Sequence, residues 1–184
     1  MSNDHSSSAL HRPTWLRKLA TALDKASSLM LSLAMICISA IWLLMISEVA
    51  IRTFVGVSLL VTWEFSSYLL GWSTFLAAPA AARNMVHVRV SAVTDALPST
   101  FRQLVVAIAY LIAFVAGVFC SWAISKQALE ALERGVVTQT IAQLPHWILF
   151  SVPALGMTIF AAVSLLSALE TLADGWSGSA GAKV

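Results

Sequence analysis

Four apolar stretches decide what this chain can fold into. They run over about residues 27–47, 61–82, 104–125 and 146–169. A 20-residue helix is about 30 Å long, which matches the hydrocarbon thickness of a bilayer, so each stretch is long enough to span one. The expected fold is an all-α integral membrane protein with four transmembrane helices. Of the 184 residues, 59% are hydrophobic and 11% charged, and the mean hydropathy is +0.83. That leaves no room for a water-soluble domain in the connections or tails.

The organisation follows from these spans. Residues 1–12 form a polar, serine-rich tail expected to be disordered; residues 13–174 form one four-helix membrane domain, and residues 175–184 a flexible, Ser/Gly-rich tail. From Pro13 to Lys25, Leu16, Leu19 and Leu23 recur at helical spacing beside Trp15, with Arg17, Lys18, Asp24 and Lys25 at other positions. This pattern suits an N-terminal amphipathic helix lying in the headgroup region. A helical extension of the first span is the alternative. The first apolar run is too long for a signal-peptide core and continues into Glu48 and Arg52 without a small-residue cleavage site, so it reads as a retained span.

Orientation follows from the cations. With four spans both termini share a side, which collects Arg12, Arg17, Lys18, Lys25, Arg83, Arg89, Arg102 and Lys183. The opposite side has only Arg52, Lys126 and Arg134. The positive-inside rule then places both termini in the cytoplasm. Glu48 and Arg52, four apart on one helix face, suit a local ion pair at the outer interface. Thr100 and Gln103 after Pro98 have the spacing of a capping box for the third helix, and Gly135 is placed to cap its C-terminus. A helix over that whole interval has 35 residues and would measure about 52 Å, beyond the bilayer thickness.

The stretch from Trp63 to Pro98 carries the most chemistry. Glu64 opens an apolar run that closes on Arg83, His87 and Arg89. As one helix, Glu64 and Arg83 stand roughly 28 Å apart at opposite membrane faces, so they cannot pair with each other within it. Pro79 removes a backbone hydrogen bond shortly before Arg83. Small residues recur every four positions in the third helix, at Ala109, Ala113, Gly117, Ser121 and Ser125, and in the second at Ser73, Ala77 and Ala81. Such ridges let helices approach closely in lipid.

Catalysis finds little to work with. The sequence has no glycine-rich phosphate loop, no close metal-ligand spacing and no nucleophile with a matching histidine and acid, so no enzyme activity, metal or cofactor is expected. His5 and His11 lie in the tail, His87 at one membrane face and His146 at the other, which leaves no pair to hold a haem iron inside a bundle. Cys37 and Cys120 lie within spans, where a thiol behaves as a small apolar group. The basic residues follow the membrane and form no nucleic-acid patch. No charge lies at the midplane, where a transport site usually sits.

Arg52, Ser58, Glu64, Trp72-Ser73-Thr74-Phe75-Leu76, Arg83, His87-Val88-Arg89-Val90, Leu97-Pro98 and Leu144-Pro145-His146-Trp147 together resemble the small membrane subunit, DctQ-like, of tripartite ATP-independent periplasmic (TRAP) transporters. The chain departs from the family pattern at Ala77, where glycine is frequent, and at Ser91, where an acid is common. The resemblance implies a small non-catalytic subunit that braces a large membrane subunit. That large subunit imports an organic acid, delivered by a periplasmic solute-binding protein, on a sodium gradient. Arg52, Glu64, Arg83, His87 and Arg89 are then expected to touch the large subunit or membrane lipids. The alternative is a self-contained small carrier or channel acting as a homo-oligomer, with Ser66, Ser67, Ser73 and Thr74 facing its path.

Overall fold

The computed structural model describes residues 14–58, 60–84, 99–138 and 143–180. Four helices make up almost all of them: α1 Thr14–Phe54, α2 Leu60–Asn84, α3 Ser99–Glu133 and α4 His146–Ala180. Among the described residues there is no strand, and a single bridge joins Val137 to Pro145.

Three helices, α1, α3 and α4, contain segments long and apolar enough to cross a membrane, over Lys18–Phe54, Leu104–Glu133 and His146–Leu172. The expectation of four spans is met for these three. The shortfall in α2 is one of apolarity. Its 25 residues extend about 37 Å, but Ser66, Ser67, Tyr68, Ser73, Thr74 and Pro79 dilute its apolar residues.

The leader differs from the expected separate interfacial helix. From Thr14 to Phe54 the sequence contains neither glycine nor proline, so nothing interrupts the hydrogen-bond ladder, and α1 is continuous over 41 residues or about 60 Å. One stripe of α1 points inward, through Ser27, Met30, Ala34, Cys37, Ile41, Leu44 and Glu48, at the three- and four-residue steps that keep one helical face. At the other end of the chain, α4 runs past Gly175 to Ala180. The 1–12 segment lies outside the described residues.

The helices do not close into a ring. α1 packs mainly on α2 and touches α4; α2 packs on α4; α3 packs on α4. α4 is therefore the hub. Val163, Ser164, Leu166, Ser167 and Ala168 on it are all buried, and Met30, Ala34 and Leu76 form a small apolar core where α1 and α2 meet beside Val152 and Ile159. The outward faces of α1 and α3 are also apolar: Leu29, Trp42, Leu43, Ile112, Phe119 and Trp122 are each more than 60% exposed. In water such a surface would drive aggregation; in lipid it is a solvated surface.

Among the described residues, a glycine of positive φ marks the connection after α1 and the one after α3. Gly56 adopts φ +76°, a conformation glycine tolerates without strain, between α1 and α2. Gly135 adopts φ +59° as the expected cap of α3, with Val136 N–H donating to Ala131 O at 3.2 Å. The chain then folds back on itself: Thr138 N–H donates to Leu144 O at 2.9 Å, and His146 N–H to Val136 O at 3.1 Å. The Thr138 hydroxyl accepts from Leu144 N–H at 2.8 Å.

Candidate functional site

Charged groups at the ends of the helices are the polar features from which a site can be built. At one end Arg83, in the last turn of α2, meets an acid from each of two other helices. Its Nε donates to Asp24 Oδ1 of α1 at 2.6 Å and its Nη2 to Asp24 Oδ2 at 3.3 Å, a two-pronged contact. Its Nη1 donates to Glu170 Oε2 of α4 at 2.9 Å. The side chains of Arg83 and Glu170 are 23% and 22% exposed, and that of Asp24 is 47% exposed. Burial works to lower the Arg83 pKa, but the hydrogen bonds and charges of Asp24 and Glu170 outweigh it and raise the value, so the guanidinium stays charged. The cluster ties three of the four helices at one level.

This geometry fixes relative directions. Asp24 lies early in α1, Arg83 at the end of α2 and Glu170 late in α4. α1 is thus antiparallel to α2, and α4 parallel to α2, so the start of α1 and the end of α4 lie at the same end. Each runs ten residues past the cluster, or about 15 Å.

The opposite end is held by hydroxyls. Ser58, just after the α1–α2 turn, donates from Oγ to Glu48 Oε1 at 2.8 Å. Glu64, in the first turns of α2, accepts from Tyr68 Oη at 2.9 Å. Arg52 is exposed in the last turn of α1. On α3, Lys126 lies 5.9 Å from the centroid of the Trp122 ring and 3.9 Å from Glu130. Trp63 and Trp147 are exposed near the starts of α2 and α4. Tryptophan and charge at one depth are the pattern of a membrane–water boundary.

Between the two ends the helices approach closely at glycines. A Cβ on Gly117 of α3 would lie 2.9 Å from the Phe160 ring and 3.1 Å from Ala161 Cβ of α4. One turn on, the hydroxyls of Ser121 and Thr158 are 2.8 Å apart. Of the small-residue ridge on α3, Gly117 is buried, Ala113, Ser121 and Ser125 are half-buried, and Ala109 is exposed. On α2, Ser73 is buried and donates to Leu70 O at 2.8 Å, Ala77 packs beside the small core, and Ala81 is exposed.

The sequence reading named Arg52, Glu64 and Arg83, and the structure gives Arg83 partners inside the chain. His87 and Arg89 lie outside the described residues. Asp24, Glu170, Gly156 and the Ser58–Glu48 contact were not singled out as site features. The first two had a signal: each is an acid at the same end of its span as Arg83. Among the described residues no group of three or more His, Cys, Asp or Glu could hold a metal ion, and Cys37 and Cys120 are free thiols.

Residues 41–174 match the family model for the DctQ component of tripartite ATP-independent periplasmic transporters. No curated protein and no solved structure matches the chain.

Proposed function

Because the chain belongs to the DctQ family of TRAP transporter components, we propose that it is the small membrane subunit that braces the large permease subunit of such a transporter. The large subunit carries the substrate and sodium sites and imports an organic acid handed over by a periplasmic binding protein. The family match over most of the chain is the observation that carries this reading, and the charge distribution agrees with it. The charges described in the helices gather at their ends, leaving the apolar middle without a carboxylate or ammonium for a transport site.

In this proposal α2 crosses the bilayer with the other three helices. Arg83 supplies the reason it can: its charge is matched by Asp24 and Glu170, and Ser73 and Thr74 return their hydroxyls to the Leu70 carbonyl, so these groups are met within the protein; the buried Ser66 hydroxyl has no partner among the described residues. The Asp24–Arg83–Glu170 end faces the cytoplasm of a bacterial inner membrane, a reading that the excess of cations on that side supports. Arg83 then acts first on the chain's own helices. Arg52 and Glu64 at the outer end, with His87 and Arg89 at the inner end, are proposed to meet the large subunit or lipid headgroups.

Reconstitution separates this from an autonomous carrier. The purified chain alone should give proteoliposomes no solute flux, and uptake should need the large subunit and the binding protein. Flux from the chain alone would reverse the assignment.

A further inference from the structure

A proline inside a helix has no N–H to give the carbonyl four residues before it. α2 contains Pro79 and α4 contains Pro153, so the carbonyls released are those of Phe75 and Leu149. Both prolines are buried. In a membrane a released carbonyl has no water to turn to, and another donor must come from the protein.

Each released carbonyl is met by the other proline-containing helix. The Trp72 indole Nε1–H of α2 donates to Leu149 O of α4 at 3.2 Å. Phe75 O of α2 lies against Gly156 of α4, so close that a Cβ built there would be 2.5 Å from the oxygen. The hydrogen that glycine carries in that direction therefore points at the carbonyl, as in the Cα–H···O contacts of close helix pairs. Trp72 and Phe75 are one turn apart on α2, and Leu149 and Gly156 two turns apart on α4. Sliding either helix by one turn, about 5.4 Å, would break both contacts.

We infer that α2 and α4 are joined by reciprocal capping of proline-released carbonyls, with Trp72 serving the carbonyl freed by Pro153 and Gly156 admitting the one freed by Pro79. Trp72 and Gly156 are positioning residues that give the pair a single register. This inference concerns the isolated chain and does not depend on the transporter reading.

A double-mutant cycle tests it. Pro153→Ala restores an N–H that can bond Leu149 O within α4, which leaves the Trp72 donor without its task. Trp72→Phe removes the donor, and the packing lost with the smaller ring is common to both backgrounds. Unfolding equilibria in mixed micelles should show Trp72→Phe more damaging in the otherwise unmutated chain than in the Pro153→Ala background, by about fivefold in the unfolding constant. Equal factors in the two backgrounds would overturn the first contact. The corresponding cycle with Pro79→Ala and Gly156→Ala should be non-additive by at least about twofold; additive effects would remove Gly156 from the proposal. If Pro153→Ala does not fold, indole hydrogen exchange in the unmutated protein decides, with Trp72→Phe and Trp63→Phe assigning the signals. The Trp72 N–H should exchange at least about tenfold more slowly than that of Trp63, which is 75% exposed. Equal exchange would overturn the inference.

Discussion

Replacing Arg83 by alanine tests the charge cluster that ties α1, α2 and α4. Three contacts are lost, and they are not equal. The hydrogen bond to Glu170 joins two side chains that are each less than a quarter exposed; a charge-assisted bond there contributes about 1.5 kcal/mol, the low end for bonds to charged groups. The contact to Asp24 is two-pronged, but Asp24 is 47% exposed, and solvent screening reduces it to about 0.5–1 kcal/mol. Arg83→Ala should therefore destabilise the chain by about 2–2.5 kcal/mol, the two contributions together. Glu170→Gln should remove about 1.5 kcal/mol and Asp24→Asn about 0.5 kcal/mol. Arg83→Lys keeps the charge but not the fork that reaches both acids, and should lie between wild type and alanine. SDS-driven unfolding in mixed micelles, followed by circular dichroism, measures all four. Added salt should shrink the Asp24 effect more than the Glu170 effect. Arg83→Ala within about 0.5 kcal/mol of wild type, or Asp24→Asn more damaging than Glu170→Gln, would refute the reasoning.

The helix contacts give further expectations. Gly156→Ala places a methyl 2.5 Å from a backbone oxygen, whereas Gly117→Ala meets first a phenylalanine ring at 2.9 Å; the ring can turn and the backbone cannot. Gly156→Ala should cost about 2–3 kcal/mol and Gly117→Ala about 1 kcal/mol in the same unfolding assay, and the reverse order would contradict the packing. Ser121→Ala breaks the hydroxyl pair with Thr158, and should cost about 0.6 kcal/mol, the usual value for a polar contact between helices in lipid. Ser58→Ala removes the bond to Glu48, and should speed amide exchange near the α1–α2 turn while leaving exchange in α4 unchanged.

The order and rough positions of the four long helices were legible in the sequence because length and hydropathy carry them, but the continuity of the leader with α1 was not. The 35 residues expected for the third helix match α3, and Gly135 takes the left-handed conformation its position predicts. Lateral packing was not legible, for a physical reason. In water the buried face of a helix is its apolar face, but here the exposed faces of α1 and α3 are as apolar as any core. The buried surface is marked by small residues and hydroxyls instead, as at Ser27, Ala34, Ala161, Ser164 and Ser167. That is why the sequence drew attention to the charged ends of α2, while the structure puts α4 at the centre. The Trp72–Leu149 contact was hidden for another reason, since it depends on a main-chain carbonyl released by a proline 81 positions along the chain from the tryptophan. Arg83 was recognised as a charge needing an answer. Its answer lay in Asp24, which the sequence placed in the amphipathic leader, and in Glu170 near the end of α4.

Co-expression of the tagged chain with the large membrane subunit of the same transporter, followed by purification and reconstitution, is the most direct test of the bracing role. The predicted result is a stable complex that takes up solute only when the binding protein and a sodium gradient are present, and a chain that is silent by itself. Failure of the two subunits to co-purify, or solute flux through the small chain alone, would contradict it.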